Sequence, residues 1–193
     1  MFCIYCLPLI HEVMNIVVYC SAQDELDEKY QQLATALGQW IGKNSHSLVY
    51  GGVKSGLMHV TAQAVHEAGG RCVGVIPEMF LHRLDPLCDD VVATRDLADR
   101  KQRMIAMGDA FVVLPGGIGT LDEWMSTLAV MCIGDEDRRP IIVANLDGIY
   151  DATIQQLADM TRTPFARGKN LTRTLVATTA TDLINTLNTL TSH

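Results

Sequence analysis

Ala110-Phe111-Val112-Val113-Leu114-Pro115-Gly116-Gly117-Ile118-Gly119-Thr120-Leu121-Asp122-Glu123 is the stretch on which the reading of the fold turns. Its first five residues are continuously apolar, without the alternation of a half-exposed strand, and so predict a central strand buried on both faces. Pro115 to Thr120 reads as a glycine-rich turn, and Leu121 to about Cys132 as a helix that puts Glu123 on its first turn. Strand, glycine turn and helix in that order set the turn at the carboxyl end of a strand, where α/β sheets bind ligands near helix N-termini. Two common loops of this kind are excluded. A dinucleotide fingerprint needs glycine where Asp122 stands, and a Walker loop ends in Gly-Lys-Ser/Thr. What remains is a loop whose amides and Thr120 hydroxyl bind phosphate oxygens, or a tight turn without ligand.

The flanking segments repeat the alternation. Asn15 to Cys20 predicts a first core strand, Ser47 to Tyr50 a second, Cys72 to Ile76 a third, Val91 to Ala93 a short one, and Ile141 to Ala144 and Thr174 to Ala177 the last two. Between them, Leu26, Tyr30, Leu33, Leu37 and Ile41 recur at the helical period, after turn and cap chemistry at Ser21 to Asp24. Further helices are expected over about 57–68, from an Asp96 cap to about Met107, from Asp147-Gly148 through Met160, and from about Thr181 to Leu190. Residues 78–89 carry no clear period. Strands alternating with helices predict an α/β, Rossmann-like doubly wound domain, a mostly parallel sheet with helices on both faces. A second glycine run, Tyr50-Gly51-Gly52-Val53-Lys54-Ser55-Gly56-Leu57-Met58, is expected to offer further amides to the same ligand.

Composition narrows the partners. With 48% apolar and 19% charged residues, the 193-residue chain suits one compact domain. Fifteen Lys and Arg against 22 Asp and Glu give a net charge of −7, which argues against a nucleic-acid polymer as main partner. Six cysteines include one C-x-x-C, Cys3 to Cys6, with only His11 nearby. No second pair or His spacing completes a metal site, so a reduced, cytoplasmic protein is expected, with no metal, no cofactor and no membrane partner. The apolar start lacks a basic region and a cleavage site and is too short to span a bilayer. Met14 stands directly before the first strand, so residues 1–13 read as a non-core extension and 14–193 as one Rossmann-like nucleotide-binding domain.

These segments together resemble the LOG family, the cytokinin riboside 5'-monophosphate phosphoribohydrolases that are often mislabelled lysine decarboxylases. Pro115 to Glu123 meets the family's P-G-G-x-G-T-x-x-E in full, and Arg100, Lys101 and Met104 meet its Arg-Lys with a following Met. Tyr50-Gly51-Gly52 with Gly56-Leu57-Met58, Gly74 to Pro77, and Asp109-Ala110-Phe111 also match. The likeness covers about residues 15–160. Val53 and His59 stand where the family has glycines, and both are expected to add side chains beside the phosphate or ribose. The 78–96 segment also differs from the family pattern and is expected to contact the base.

The resemblance implies hydrolysis of the N-glycosidic bond of a nucleoside 5'-monophosphate, of AMP or cytokinin riboside type, to free base and ribose 5-phosphate. Glu123 would stabilise an oxocarbenium-like transition state and activate water, and Arg100 would position the nucleotide and the departing base. The loop Gly116, Gly117, Ile118, Gly119 and Thr120 would hold the phosphate, with Ser21, Gly51, Gly52, Arg100, Lys101 and Glu123 completing the substrate contacts. The family also implies a homodimer near the helix after the loop, where Trp124, Met125, Leu128 and Met131 supply large apolar groups. One competing reading is a non-catalytic nucleotide-binding or carrier protein of the same fold. Amino-acid decarboxylation, the other, needs a pyridoxal-binding lysine that no motif supports.

Overall fold

The computed structural model describes residues 13–133, 137–163 and 174–191. Cys3, Cys6, His11 and nearly all of the expected extension lie outside them. Seven parallel strands form one sheet: β1 (Asn15–Tyr19), β2 (Ser47–Tyr50), β3 (Arg71–Pro77), β4 (Asp90–Thr94), β5 (Ala110–Val113), β6 (Ile141–Ala144) and β7 (Thr174–Ala177). Their order is β4-β3-β2-β1-β5-β6-β7. The winding direction therefore reverses between β1 and β5, and helices leave those two strand ends on opposite sides of the sheet. The resulting crevice is where doubly wound sheets bind ligands.

Alternation along the strands divides the core into two layers. Ile16, Val18, Val112 and Leu114 pack on one side beneath α1 (Glu28–Lys43), α2 (Gly56–Glu67) and α6 (Ala180–Thr191). Val17, Tyr19, Phe111 and Val113 pack on the other beneath α3 (Leu97–Met107), α4 (Ile118–Ile133) and α5 (Asp151–Thr161). Both faces being covered accounts for the unbroken apolar runs of the inner strands.

Helix boundaries carry the corrections. α4 begins at Ile118, so Gly119 and Thr120 belong to its first turn and Glu123 to its second. α5 begins at Asp151, after a 3-10 turn over Leu146–Gly148 in which Asp147 has φ 55°. The region 78–83, expected to be irregular, is a 3-10 helix. Asp96 does cap α3, accepting from the Asp99 amide at 2.8 Å. α1, by contrast, is capped by Asp27, which leaves Asp24 for another task. Trp124, Leu128 and Met131 are buried in this chain's own core, so they supply no dimer surface. The exposed large apolar residues of α4 are Ile118, Val130 and Ile133.

Candidate active site

The β5–α4 turn is bound from both sides. Ser21, just beyond β1, donates its amide to the Pro115 carbonyl (3.1 Å). The Tyr150 hydroxyl donates to the Leu114 carbonyl at 2.9 Å. A Cβ on Gly116 would collide with the Thr120 hydroxyl and crowd the Ser21 amide, so only glycine permits this closure. With the loop's carbonyls engaged, the amides of residues 117–120 begin α4 ahead of its own hydrogen-bond ladder. Such amides, at the positive end of the helix dipole, suit an anion. Gly117 and Gly119 face open space.

The second glycine run behaves differently. The amides of Lys54, Ser55 and Leu57 go to the carbonyls of Arg83, Val53 and Ser21. That of Gly56 goes to the Asp24 carboxylate at 2.7 Å, which also meets the Ser55 hydroxyl. Gly56 has φ +54° and lies directly against the 21–23 backbone. An internal carboxylate thus occupies the start of α2. The amides of residues 54–57 are consumed within the fold, so any donors this run offers come from its first residues, of which Gly51 lines the cleft.

Between these turns lies a cleft of about 290 Å³ lined by Ser21, Gln23, Gly51, Met58, Arg100 and Glu123, among others, with the 117–120 turn at one end. Arg100, in the first turns of α3, and Glu123, on α4, converge at the carboxyl edge of the sheet. Arg100 Nη2 donates to Glu123 Oε1 at 2.5 Å. A parallel outer pair joins Lys101 Nζ to both oxygens of Asp122 at 2.7 Å. Lys101 therefore braces α4 against α3 and does not line the cleft. Gly52, Gly116, Val53 and His59 do not line it either, nor does any residue of 78–96. Val53 is buried and bridges to Leu84, which accounts for its absence from the cleft lining.

Burial dominates the electrostatics. Removal from water pushes the Glu123 carboxyl up to about 7, against the opposing pull of the Arg100 guanidinium. A raised carboxyl in a cleft, beside a cation, is a mark of functional sites. Its backbone is held from behind: Thr127 Oγ1 donates to the Glu123 carbonyl (2.9 Å) and accepts from the Tyr19 hydroxyl (2.9 Å). Burial pushes the Cys20 thiol far above its ordinary range, so this cleft residue is not a ready nucleophile. Arg100 Nε is buried without a hydrogen-bond partner. Among the described residues no group of three His, Cys, Asp or Glu could hold a metal, and no described helix is long and apolar enough to cross a membrane. Sequence reasoning missed Asp24, Tyr19, Thr127 and Tyr150: Thr127 holds Glu123 from one turn away, and the others act across long chain separations with no local motif.

Known proteins resemble this chain over most of its length. Residues 58–187 match the family described as "Possible lysine decarboxylase". The cytokinin riboside 5'-monophosphate phosphoribohydrolase LOG5 of Arabidopsis thaliana is 37% identical over 139 residues, 71% of this chain and 60% of that protein. The probable cytokinin riboside 5'-monophosphate phosphoribohydrolase LOGL2 of Oryza sativa subsp. japonica is 33% identical over 175 residues, 90% of this chain and 71% of that protein. Among solved structures, the molybdenum cofactor carrier protein of Chlamydomonas reinhardtii matches with a TM-score of 0.73 at 19% identity, covering 93% of this chain and 99% of that one. The molybdenum cofactor binding protein of Rippkaea orientalis gives 0.71 at 20% identity, covering 92% and 96%. At such identities these two structures share the fold alone.

Proposed function

The chain belongs to the family described as possible lysine decarboxylases, the LOG family, and from that premise we propose that it hydrolyses the N-glycosidic bond of a nucleoside 5'-monophosphate. The products are the free base and ribose 5-phosphate. AMP and cytokinin riboside 5'-monophosphates are the substrates to test first, on the strength of the relatives' names. The observation that carries the reading is the Arg100–Glu123 pair facing the same cleft as the unengaged 117–120 amides.

The phosphate sits on the 117–120 turn, which supplies binding energy remote from the reacting bond. The anomeric carbon then lies beside Glu123. As the C–N bond lengthens, the sugar gains positive charge, which the carboxylate stabilises. Water adds its hydroxyl to the anomeric carbon, Glu123 accepts the water's proton, and the base leaves with the bonding pair. Arg100 stabilises the charge on the departing base. A carboxyl titrating near 7 suits a group that holds and releases a proton at neutral pH.

The decarboxylase description gains no support from the cleft, because no lysine lines it among the described residues. Homodimerisation is part of the proposal, with Ile118, Val130 and Ile133 as the apolar surface to be covered. The deciding experiment is incubation with a panel of nucleoside monophosphates, reading released base by chromatography. Base release supports the hydrolase. Binding without release would make the chain a nucleotide carrier of the same fold.

A further inference from the structure

Asp85 is fully buried yet lies in the 84–89 turn, outside the cleft. Its carboxylate is engaged on both oxygens: Oδ1 accepts from the Leu87 amide at 3.1 Å and Oδ2 meets His59 Nδ1 at 2.9 Å. Its own amide donates to the Gly52 carbonyl at 2.8 Å. One residue thus grips positions 52 and 59 together, and each is the chain neighbour of a cleft residue, Gly51 and Met58. These two meet directly. A Cβ built on Gly51 would lie 2.9 Å from Met58 Sδ and 3.6 Å from Arg100 Nη1. The Met58 thioether and the Arg100 guanidinium therefore converge over Gly51, and what holds Gly51 against Met58 also sets the seat of Arg100.

We infer that the His59–Asp85 pair is a positioning device for the nucleotide site: it fixes the Gly51–Met58 wall against which Arg100 and the substrate rest. The physical warrant is the cost of the alternative. A buried carboxylate deprived of one partner is strongly destabilised, so the turn loosens on the 52–59 segment once the imidazole is removed. The backbone contacts that remain between these segments are the Asp85 amide on the Gly52 carbonyl, at 2.8 Å, and the Lys54 amide on the Arg83 carbonyl, at 3.0 Å, which together form the Val53–Leu84 bridge. His59 keeps 29% of its side chain exposed, in an adjoining cavity of about 260 Å³. It can thus be exchanged without opening a void in the core.

The kinetic consequence rests on the phosphoribohydrolase reading; the structural one does not. The test compares His59→Ala and His59→Asn, since an Asn amide can donate to Asp85 from the position of Nδ1. Hydrogen exchange at the Lys54, Asp85 and Leu87 amides, AMP affinity by calorimetry, and base release from AMP are all measured. In His59→Ala, exchange at these amides rises on the order of tenfold or more, and AMP affinity and KM weaken by roughly tenfold, with kcat within about threefold. His59→Asn restores both. Wild-type exchange rates in the alanine variant, or faster exchange with unaltered AMP affinity and KM, would overturn the inference. If the wild type binds AMP without releasing base, the proposed function fails, and exchange and affinity still judge the positioning role.

Discussion

Replacing Glu123 by Gln separates chemistry from stability, because the two should move in opposite directions. The side chain keeps its shape and can still accept from Arg100 Nη2, but the charge that stabilises an oxocarbenium centre is gone. Turnover is expected to fall by roughly a hundredfold or more, about 2.7 kcal/mol of transition-state stabilisation, with little change in AMP affinity. Stability should rise. The Glu123 carboxyl stands at about 7 in the folded protein against an ordinary 4.5. The folded state therefore holds its proton more tightly between those values, and stability declines as pH rises through that window. Above pH 7 the ionised form costs about 3 kcal/mol at ~1.36 kcal/mol per pH unit. The Gln variant recovers part of this, about 1–3 kcal/mol, or roughly 3–10 °C in melting temperature at pH 8. Near pH 4.5 the difference should vanish. Steady-state base release and thermal melts at pH 8 and pH 5 make the comparison. Near-normal turnover with a lowered melting temperature would refute the reasoning and make Glu123 a structural residue. A helix-capping role is already disfavoured by its place in the second turn of α4, since dipole effects fade within the first.

Four further expectations follow from the same contacts. The kcat/KM profile of the free enzyme should lose activity with unit slope as pH falls through about 7, where Glu123 takes up its proton; a flat profile between pH 6 and 8 contradicts its role as a base. Arg100→Ala should lower kcat by roughly 10²–10³ and raise KM as well, while the chain stays folded by circular dichroism. That variant's acid limb should also move above 7, because the lost guanidinium was holding the Glu123 carboxyl down. His46 is buried and its Nδ1 accepts from the Met14 amide. Burial lowers its pKa, so stability is full above about pH 6.5 and is lost as pH falls below it; His46→Asn, which keeps an acceptor, should flatten that loss in thermal melts. Light scattering at micromolar concentration should give about twice the 21.2 kDa of one chain, and Val130→Asp should return it to the monomer.

Much of the molecule could be read from the chain alone. The apolar runs at Ile16 to Tyr19, Ala110 to Val113 and Ile141 to Ala144 marked inner strands because strands covered on both faces need no polar alternation. The glycine turn at 115–120 and the carboxylate at Glu123 were visible as local chemistry, since a phosphate loop must be short-range in sequence to present consecutive amides. Boundaries were less legible. The start of α4 at Ile118 depends on the Ser21 and Tyr150 contacts that close the turn early, and neither is near it in the chain.

The division between the two glycine runs shows where local reasoning stopped. Both read as amide donors, yet the amides that open α2 are spent within the fold while those of 117–120 are not, because Asp24, thirty-two residues before Gly56, occupies the start of α2. Likewise Arg100 and Lys101 are indistinguishable as neighbours in sequence. The packing of α3 on α4 turns the first inward onto Glu123 and the second outward onto Asp122. Residue type and spacing thus determined the strands, the sheet class and the chemistry available at the loop. Which donors are left for a ligand, which cation meets the carboxylate, and how far burial raises that carboxyl were decided only by tertiary structure, because each depends on partners brought together across the sheet and on the exclusion of water.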